Sequence, residues 1–184
     1  LIWTDNEFNT PIDKKFNIIA EPITINPTNI PFKEKLKLEY TLDTNNYAFY
    51  KYNKAKKKWV YKETTHGNNK ITTSISSGGI FAILSEVEKP LIYNFFPDLD
   101  KTYRKNEIKS LSFHINDTLS GINPYKIKII LNGEKLFYDY IKYRNLVTTN
   151  IEKYLTLGVN EIDISSYDNL DNMKNTKGSF FVVE

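Results

Sequence analysis

The 184-residue chain is long enough for one large domain or two small ones, and 40% hydrophobic with 14% aromatic content is enough apolar surface to exclude wholesale disorder. A formal net charge of +3, with Arg104 and Arg144 the only arginines, argues against a nucleic-acid reader, which usually relies on bidentate guanidinium forks. The lack of cysteine rules out thiolate catalysis, disulfide staples and Cys-ligated zinc; no apolar run reaches membrane-spanning length, and Leu1 carries no initiator Met or signal-peptide pattern, so the chain reads as a segment of something longer or as a mature segment.

Strand patterns follow one another along the chain. "FNIIAEPITI" is extended, with Pro22 marking an edge or a bulge. "KLKLEYTL" alternates, placing Leu36, Leu38, Tyr40 and Leu42 on one face. "YAFYKY" and "KWVYK" are aromatic strands on either side of a short lysine-rich loop, which predicts a hairpin. "KITTSIS" and the continuous apolar "IFAIL" follow, separated by "SGG". The charged, Pro-ended stretch Ser85 to Pro90 reads as a linker, after which the strand pattern restarts.

In the second half, "EIKSLSFHI" puts Leu111, Phe113 and Ile115 in strict alternation. "PYKIKIIL" sets Tyr125, Ile127, Ile129 and Leu131 on one face, and Lys126 and Lys128 on the other. Asn132-Gly133 predicts a tight turn into "EKLFYDY". "NEIDIS" and "SFFVV" are the last strands; only Asn150 to Gly158 suggests a helical turn, with Asn150 as its cap. Strands spaced in this way, with turn residues between them and almost no helix, predict an all-β protein. The expected architecture is two tandem immunoglobulin-like or fibronectin-like β-sandwiches, a module over 1–88 and an immunoglobulin-like module over 89–184.

The loop "NDTLSGINP" between Ile115 and Tyr125 carries the sharpest question. Asn116 and Asp117 suit Asx turns, Gly121 suits a positive φ, and Leu119 and Ile122 can enter the end of the sandwich. Each residue has a turn-building task without a metal. The competing assignment is calcium: Asp117, Asp168 and Asp171 lie in two loops that can meet at one end of a sandwich, and calcium takes oxygen ligands. No D-x-D-x-D-G loop supports it, and the expectation is no metal and no cofactor.

The segments Asp117–Ile122, Leu131–Glu134, Tyr138–Tyr140, Leu157–Ile162, Asp168–Asn172 and Gly178–Val182 together resemble a bacterial immunoglobulin-like module. In that module a D-x-x-S-G-I loop precedes a strand that ends in an (L/I)-(N/D)-G turn, and a D-x-x-G-N loop precedes the last strand. The resemblance is to modules at the C-terminal end of Bacteroidetes-type secreted or envelope proteins, including the tails of lysostaphin-type cell-wall metallopeptidases. Trp59–Tyr61, Ser77–Leu84 and Pro90–Ile92 resemble the β-domain that precedes the module in those tails. The chain departs from the pattern at Asp171, which stands where glycine is expected; aspartate tolerates the left-handed conformation better than most residues.

The residues themselves give no catalytic constellation. His66 and His114 are the only histidines and fall in different expected modules, where both read as solvated; no serine sits in a nucleophile elbow, and no two carboxylates are pinned in one cleft. If the parent is a metallopeptidase, its catalytic domain is not in this chain. Trp59 with Tyr50, Tyr52 and Tyr61, beside the lysines of "KAKKKW", is the candidate ligand surface, suited to stacking on a glycan. The expectation is therefore a non-catalytic accessory, spacer or adhesion region of a bacterial cell-envelope or secreted protein, located outside the cytoplasm. Its partners would be neighbouring domains of the same polypeptide or envelope components. The alternative is a carbohydrate- or peptidoglycan-binding module centred on Trp59; exposed aromatics would indicate the second, a buried Trp59 the first.

Overall fold

The structure, a computed structural model, describes residues 3–4, 11–41 and 46–184. Among the described residues there is no α-helix, and the protein is all-β, built of antiparallel sheets with one parallel pair of strands. It divides into two compact units, Leu1–Glu88 and Lys89–Glu184.

Unit 1 holds β1 (Trp3–Thr4), β2 (Phe16–Ile25), β3 (Pro31–Thr41), β4 (Ala48–Asn53), β5 (Lys58–Tyr61), β6 (Thr65–Gly67), β7 (Lys70–Ser77) and β8 (Gly79–Glu86). They form one sheet in the order β1-β2-β8-β4-β5 and another in the order β3-β7-β6. The expected hairpin is β4–β5: Tyr50 lies opposite Tyr61 and Tyr52 opposite Trp59. The lysine-rich turn is closed by Lys56 N–H donating to Asn53 Oδ1 at 2.9 Å, with Lys57 left-handed. Pro22 falls within a register shift of β2 against β8, between Ala20 and Ile23, as expected of a residue that cannot donate to a ladder. In β3, Leu36 and Leu38 are half-buried and Tyr40 is 40% exposed; Leu42, the fourth member of that expected face, lies outside the described residues.

The expected linker begins two residues too early. Ser85 and Glu86 belong to β8, where Glu86 lies opposite Phe16, is 7% exposed, and accepts a hydrogen bond from the buried Tyr50 hydroxyl. A partnered charge can be buried where an isolated one cannot, so β8 runs two residues into the stretch expected as linker, while the units divide at 88/89 as expected.

Unit 2 holds β9 (Leu91–Phe96), β10 (Thr102–Arg104), β11 (Ser110–Asn116), β12 (Lys128–Leu131), β13 (Glu134–Leu136), β14 (Asp139–Ile141), β15 (Leu146–Asn150), β16 (Gly158–Tyr167) and β17 (Met173–Val183). The sheets are β14-β15-β11-β9 and β10-β17-β16-β12-β13, with β10 parallel to β17. The alternation read from the sequence sets the core. Leu111, Phe113 and Ile115 of β11, Ile129 and Leu131 of β12, Ile162 and Ile164 of β16, and Phe180 and Val182 of β17 belong to one continuous buried cluster. The expected helical turn after Asn150 is a single 3-10 turn, Glu152–Tyr154. Asn150 Oδ1 accepts from Glu152 N at 3.1 Å, and Gly158 opens β16 rather than closing a helix.

Asn132 and Gly133 form the β12–β13 turn with φ of 51° and 86°. Nothing crowds a side chain added at Gly133, so its conformation alone disfavours substitution. Gly133→Val should lower unfolding free energy by about 1 kcal/mol or more, because a β-branched residue resists positive φ. Equilibrium urea unfolding measures this, and an unchanged midpoint would refute the turn assignment.

Candidate functional site

One end of unit 2 brings the Asp117 and Asp168 loops together. Gly121, with φ 88°, bends the first loop so that its carbonyl accepts from Asn169 N at 3.0 Å, and Ile122 bridges Asp168 across the gap. Asn169 Nδ2 donates to Ser120 O at 2.9 Å. Asp117 Oδ1 accepts from the backbone of Leu119 at 3.0 Å and of Gly121 at 2.7 Å, which is the Asx geometry its sequence context predicts. Asn116 has a different part: its Oδ1 accepts from Asn145 Nδ2 at 3.3 Å. Ile122 is half-buried against the core, Leu119 is half-buried, and the fully buried member of the loop is Ser120.

Asp168 is completely buried. Its Oδ1 accepts from Leu170 N at 2.8 Å and Asn172 N at 2.9 Å, and its Oδ2 accepts from Asn172 Nδ2 at 2.7 Å. Burial pushes its carboxyl above the ordinary range; the bonds from Asn172 and Leu170 pull the other way, and the nearby Asp117 charge adds to the rise. A carboxylate oxygen of Asp117 and one of Asp168 lie within 4.8 Å of each other, so this pair is where unit 2 could hold a hard cation. The third expected ligand is not there. Asp171 takes a left-handed conformation, φ 66°, occupying the glycine position as its chemistry allows, and its exposed carboxylate pairs with Lys126 Nζ at 2.5 Å. The expected set of Asp117, Asp168 and Asp171 is thereby corrected to a pair, both members bonded to the backbone of their own loops.

A second polar cluster was not read from the sequence. Asn160 is fully buried; its Nδ2 donates to the carbonyls of Thr156 at 2.7 Å and Gly158 at 3.1 Å, and its Oδ1 accepts from Asn132 Nδ2 at 2.8 Å and Thr156 N at 3.0 Å. Asn132 Oδ1 accepts from Glu161 N at 2.9 Å, tying the β12–β13 turn to β16. Tyr138 Oη donates to Pro124 O at 2.8 Å, and Thr149 Oγ1 to Phe137 O at 2.6 Å. The signal available was Asn160 at an inward position of an alternating strand; such a residue must find partners.

In unit 1 the four ligand candidates do not form a flat exposed platform. Tyr50 is fully buried and Trp59 is 6% exposed, while Tyr52 and Tyr61 are half-buried. The rings pack edge-on or tilted: Tyr50 lies 5.1 Å from Phe16 and 5.8 Å from Tyr61, and Tyr52 lies 5.2 Å from Trp59. Such geometry is that of aromatic core packing. Neither histidine is simply solvated: His66 Nε2 contacts Tyr47 O at 2.7 Å, and His114 stacks on Tyr93 at 5.6 Å. Among the described residues, the most exposed rings are instead Tyr125, Phe137 and Tyr143 of unit 2, at 93%, 92% and 87%. Tyr125 was expected to share a face with Ile127 and Ile129, but Asn123 Oδ1 accepts Tyr125 N, and Pro124–Lys126 form a 3-10 turn that takes Tyr125 out of the strand register.

No family model and no curated protein sequence matches the chain. Among solved structures, the endo-beta-1,4-mannanase from Thermotoga petrophila is similar with a TM-score of 0.42 and 10% identity, over 54% of this chain and 21% of that one. A likeness at that level carries no argument about function.

Two measurements follow from the loop geometry. Asp117→Ala removes the acceptor of two backbone N–H groups and should cost about 1–2 kcal/mol, whereas Asp117→Asn, which keeps an acceptor, should cost less than half as much; urea unfolding without added ions gives the ranking, and equal losses would contradict it. Because the folded-state pKa of Asp168 lies above its unfolded value, the folded protein holds that proton more tightly. Stability of the wild type relative to Asp168→Asn should therefore be greatest below about pH 4 and decline as pH rises toward the folded-state pKa. A gap that widens with pH would show that the charged form is the favoured one.

Proposed function

We propose that the chain is a pair of tandem immunoglobulin-like β-sandwiches serving as a non-catalytic accessory, spacer or adhesion region of a bacterial cell-envelope or secreted protein, outside the cytoplasm. The strand order of unit 2 supports the immunoglobulin-like assignment. With β9 to β17 taken as A, A′, B, C, C′, D, E, F and G, the sheets are D-E-B-A and A′-G-F-C-C′, the arrangement of that fold. The loop motifs that resemble the bacterial modules coincide with its turns: Asp117–Ile122 between B and C, Asn132-Gly133 between C and C′, and Asp168–Asn172 between F and G.

The observation that carries the non-catalytic reading is the bonding of the polar loop groups. Asp117, Asp168, Asn132 and Asn160 all bond to backbone atoms of their own or adjoining turns, the arrangement of a scaffold. No helix among the described residues is long and apolar enough to cross a membrane. Partners are then neighbouring domains of the same polypeptide or envelope components.

Incubation with peptidoglycan and with β-1,4-mannan should release neither soluble fragments nor new reducing ends. Turnover that is lost in Asp168→Asn while the fold is kept would overturn the reading. The carbohydrate-binding alternative centred on Trp59 separates by a different response. Trp59→Ala should destabilise unit 1 by about 3–5 kcal/mol, the usual loss for a buried large ring. An unchanged melting temperature together with lost co-sedimentation on insoluble glycan would favour the binding module.

A further inference from the structure

Among the described residues of unit 1, two buried clusters flank a cavity. Tyr47, Phe49, Ile71 and Ile83 form one buried cluster there, Ile25, Ile75 and Phe81 form another, and Leu38 packs against both. A cavity of about 340 Å³ is flanked by members of each, lined by Ala20, Ile23, Leu38, Phe49, Phe81 and Ile83. β2 loses register with β8 twice, between Ile18 and Ala20 and between Ala20 and Ile23, and β3 loses register with β7 between Pro31 and Leu36. Ala20, a small side chain between the two β2 shifts, lines the cavity.

Protein interiors seldom leave voids much larger than a water molecule. Water is a poor tenant here, because a buried water needs two to four polar partners and these walls are mostly hydrocarbon. An apolar cavity of about 150 Å³ takes up benzene; this one is roughly twice that size and falls within the range of small-molecule sites. The lining also holds three charged residues. Glu21, Lys37 and Glu39 line it, and Glu39 is already paired with Lys37 at 3.2 Å and with Lys70 at 2.6 Å. With Lys37 already engaged by Glu39, the mostly apolar lining offers an anionic head group no free counter-ion.

We propose that unit 1 binds one uncharged, apolar molecule with about the volume of two fused rings in the slot between Leu38 and the Phe49–Phe81–Ile83 wall. The site is independent of the scaffold role above.

A neutral dialkylaminonaphthalene ketone dye, whose emission moves to the blue in apolar surroundings, tests it on the whole chain. Saturable binding of one dye per chain with a blue shift is expected, at least tenfold tighter than that of the anionic anilinonaphthalene sulfonate. Ala20→Phe, which fills the slot, should weaken dye binding at least tenfold without lowering the melting temperature. An unshifted dye, a preference for the anion, or undiminished binding by a folded Ala20→Phe chain would overturn the proposal. Should that variant not fold, methyl NMR of the wild type with the same dye decides. Shifts confined to Ala20, Ile23, Leu38 and Ile83 support the slot, and shifts centred on unit 2 contradict it.

Discussion

A buried carboxylate that must accept hydrogen bonds from its own turn is the constraint on which the end of unit 2 depends. Asp168 sits completely inside, where an unsatisfied carboxylate would be severely disfavoured, and three N–H groups of Leu170 and Asn172 meet it. That fixes the β16–β17 turn. The fixed turn presents Asn169 to the carbonyls of Ser120 and Gly121, and so positions the loop that Asp117 closes by the same chemistry. Two strands of one sheet and the crossing from β11 to β12 are thus registered by side chains whose sequence context resembles that of reactive or metal-ligating groups.

The same device recurs at the β12–β13 turn. Asn160 and Asn132 bond each other and the surrounding backbone, and Asn132 does so from a left-handed conformation that a β-branched residue would resist. Unit 1 is held differently. Its β4–β5 hairpin contributes rings packed edge to face, and its buried Glu86 is matched by a tyrosine hydroxyl. Polar clasps order the second unit around a continuous core; in the first unit aromatic packing accompanies register shifts in β2 and β3.

Much of this was legible in the letters, and the failures share a cause. Alternation of period two located the inward faces of β11 and β12, since burial on one side leaves no other arrangement. Asn132-Gly133, Gly121 and Asp171 declared their backbone conformations through the few residues that tolerate positive φ. What was hidden depended on partners distant in sequence. The Tyr50 hydroxyl allows Glu86 to be buried in a strand, Lys126 draws Asp171 away from Asp117 and Asp168, and cross-strand rings bury Trp59. The β2 register shifts of unit 1 were visible only as Pro22, and the cavity that Ala20 and Ile23 line was not visible at all.

The central claim is that the paired aspartates of unit 2 act on backbone rather than on an ion. Thermal unfolding of the wild type in excess chelator, and again after calcium is added back in excess over chelator, tests this most directly. The account predicts coincident transitions in the two conditions. A transition that falls with chelator and recovers with calcium would contradict it, since an ion present at a hundred times its dissociation constant contributes about 2.7 kcal/mol to the folded state.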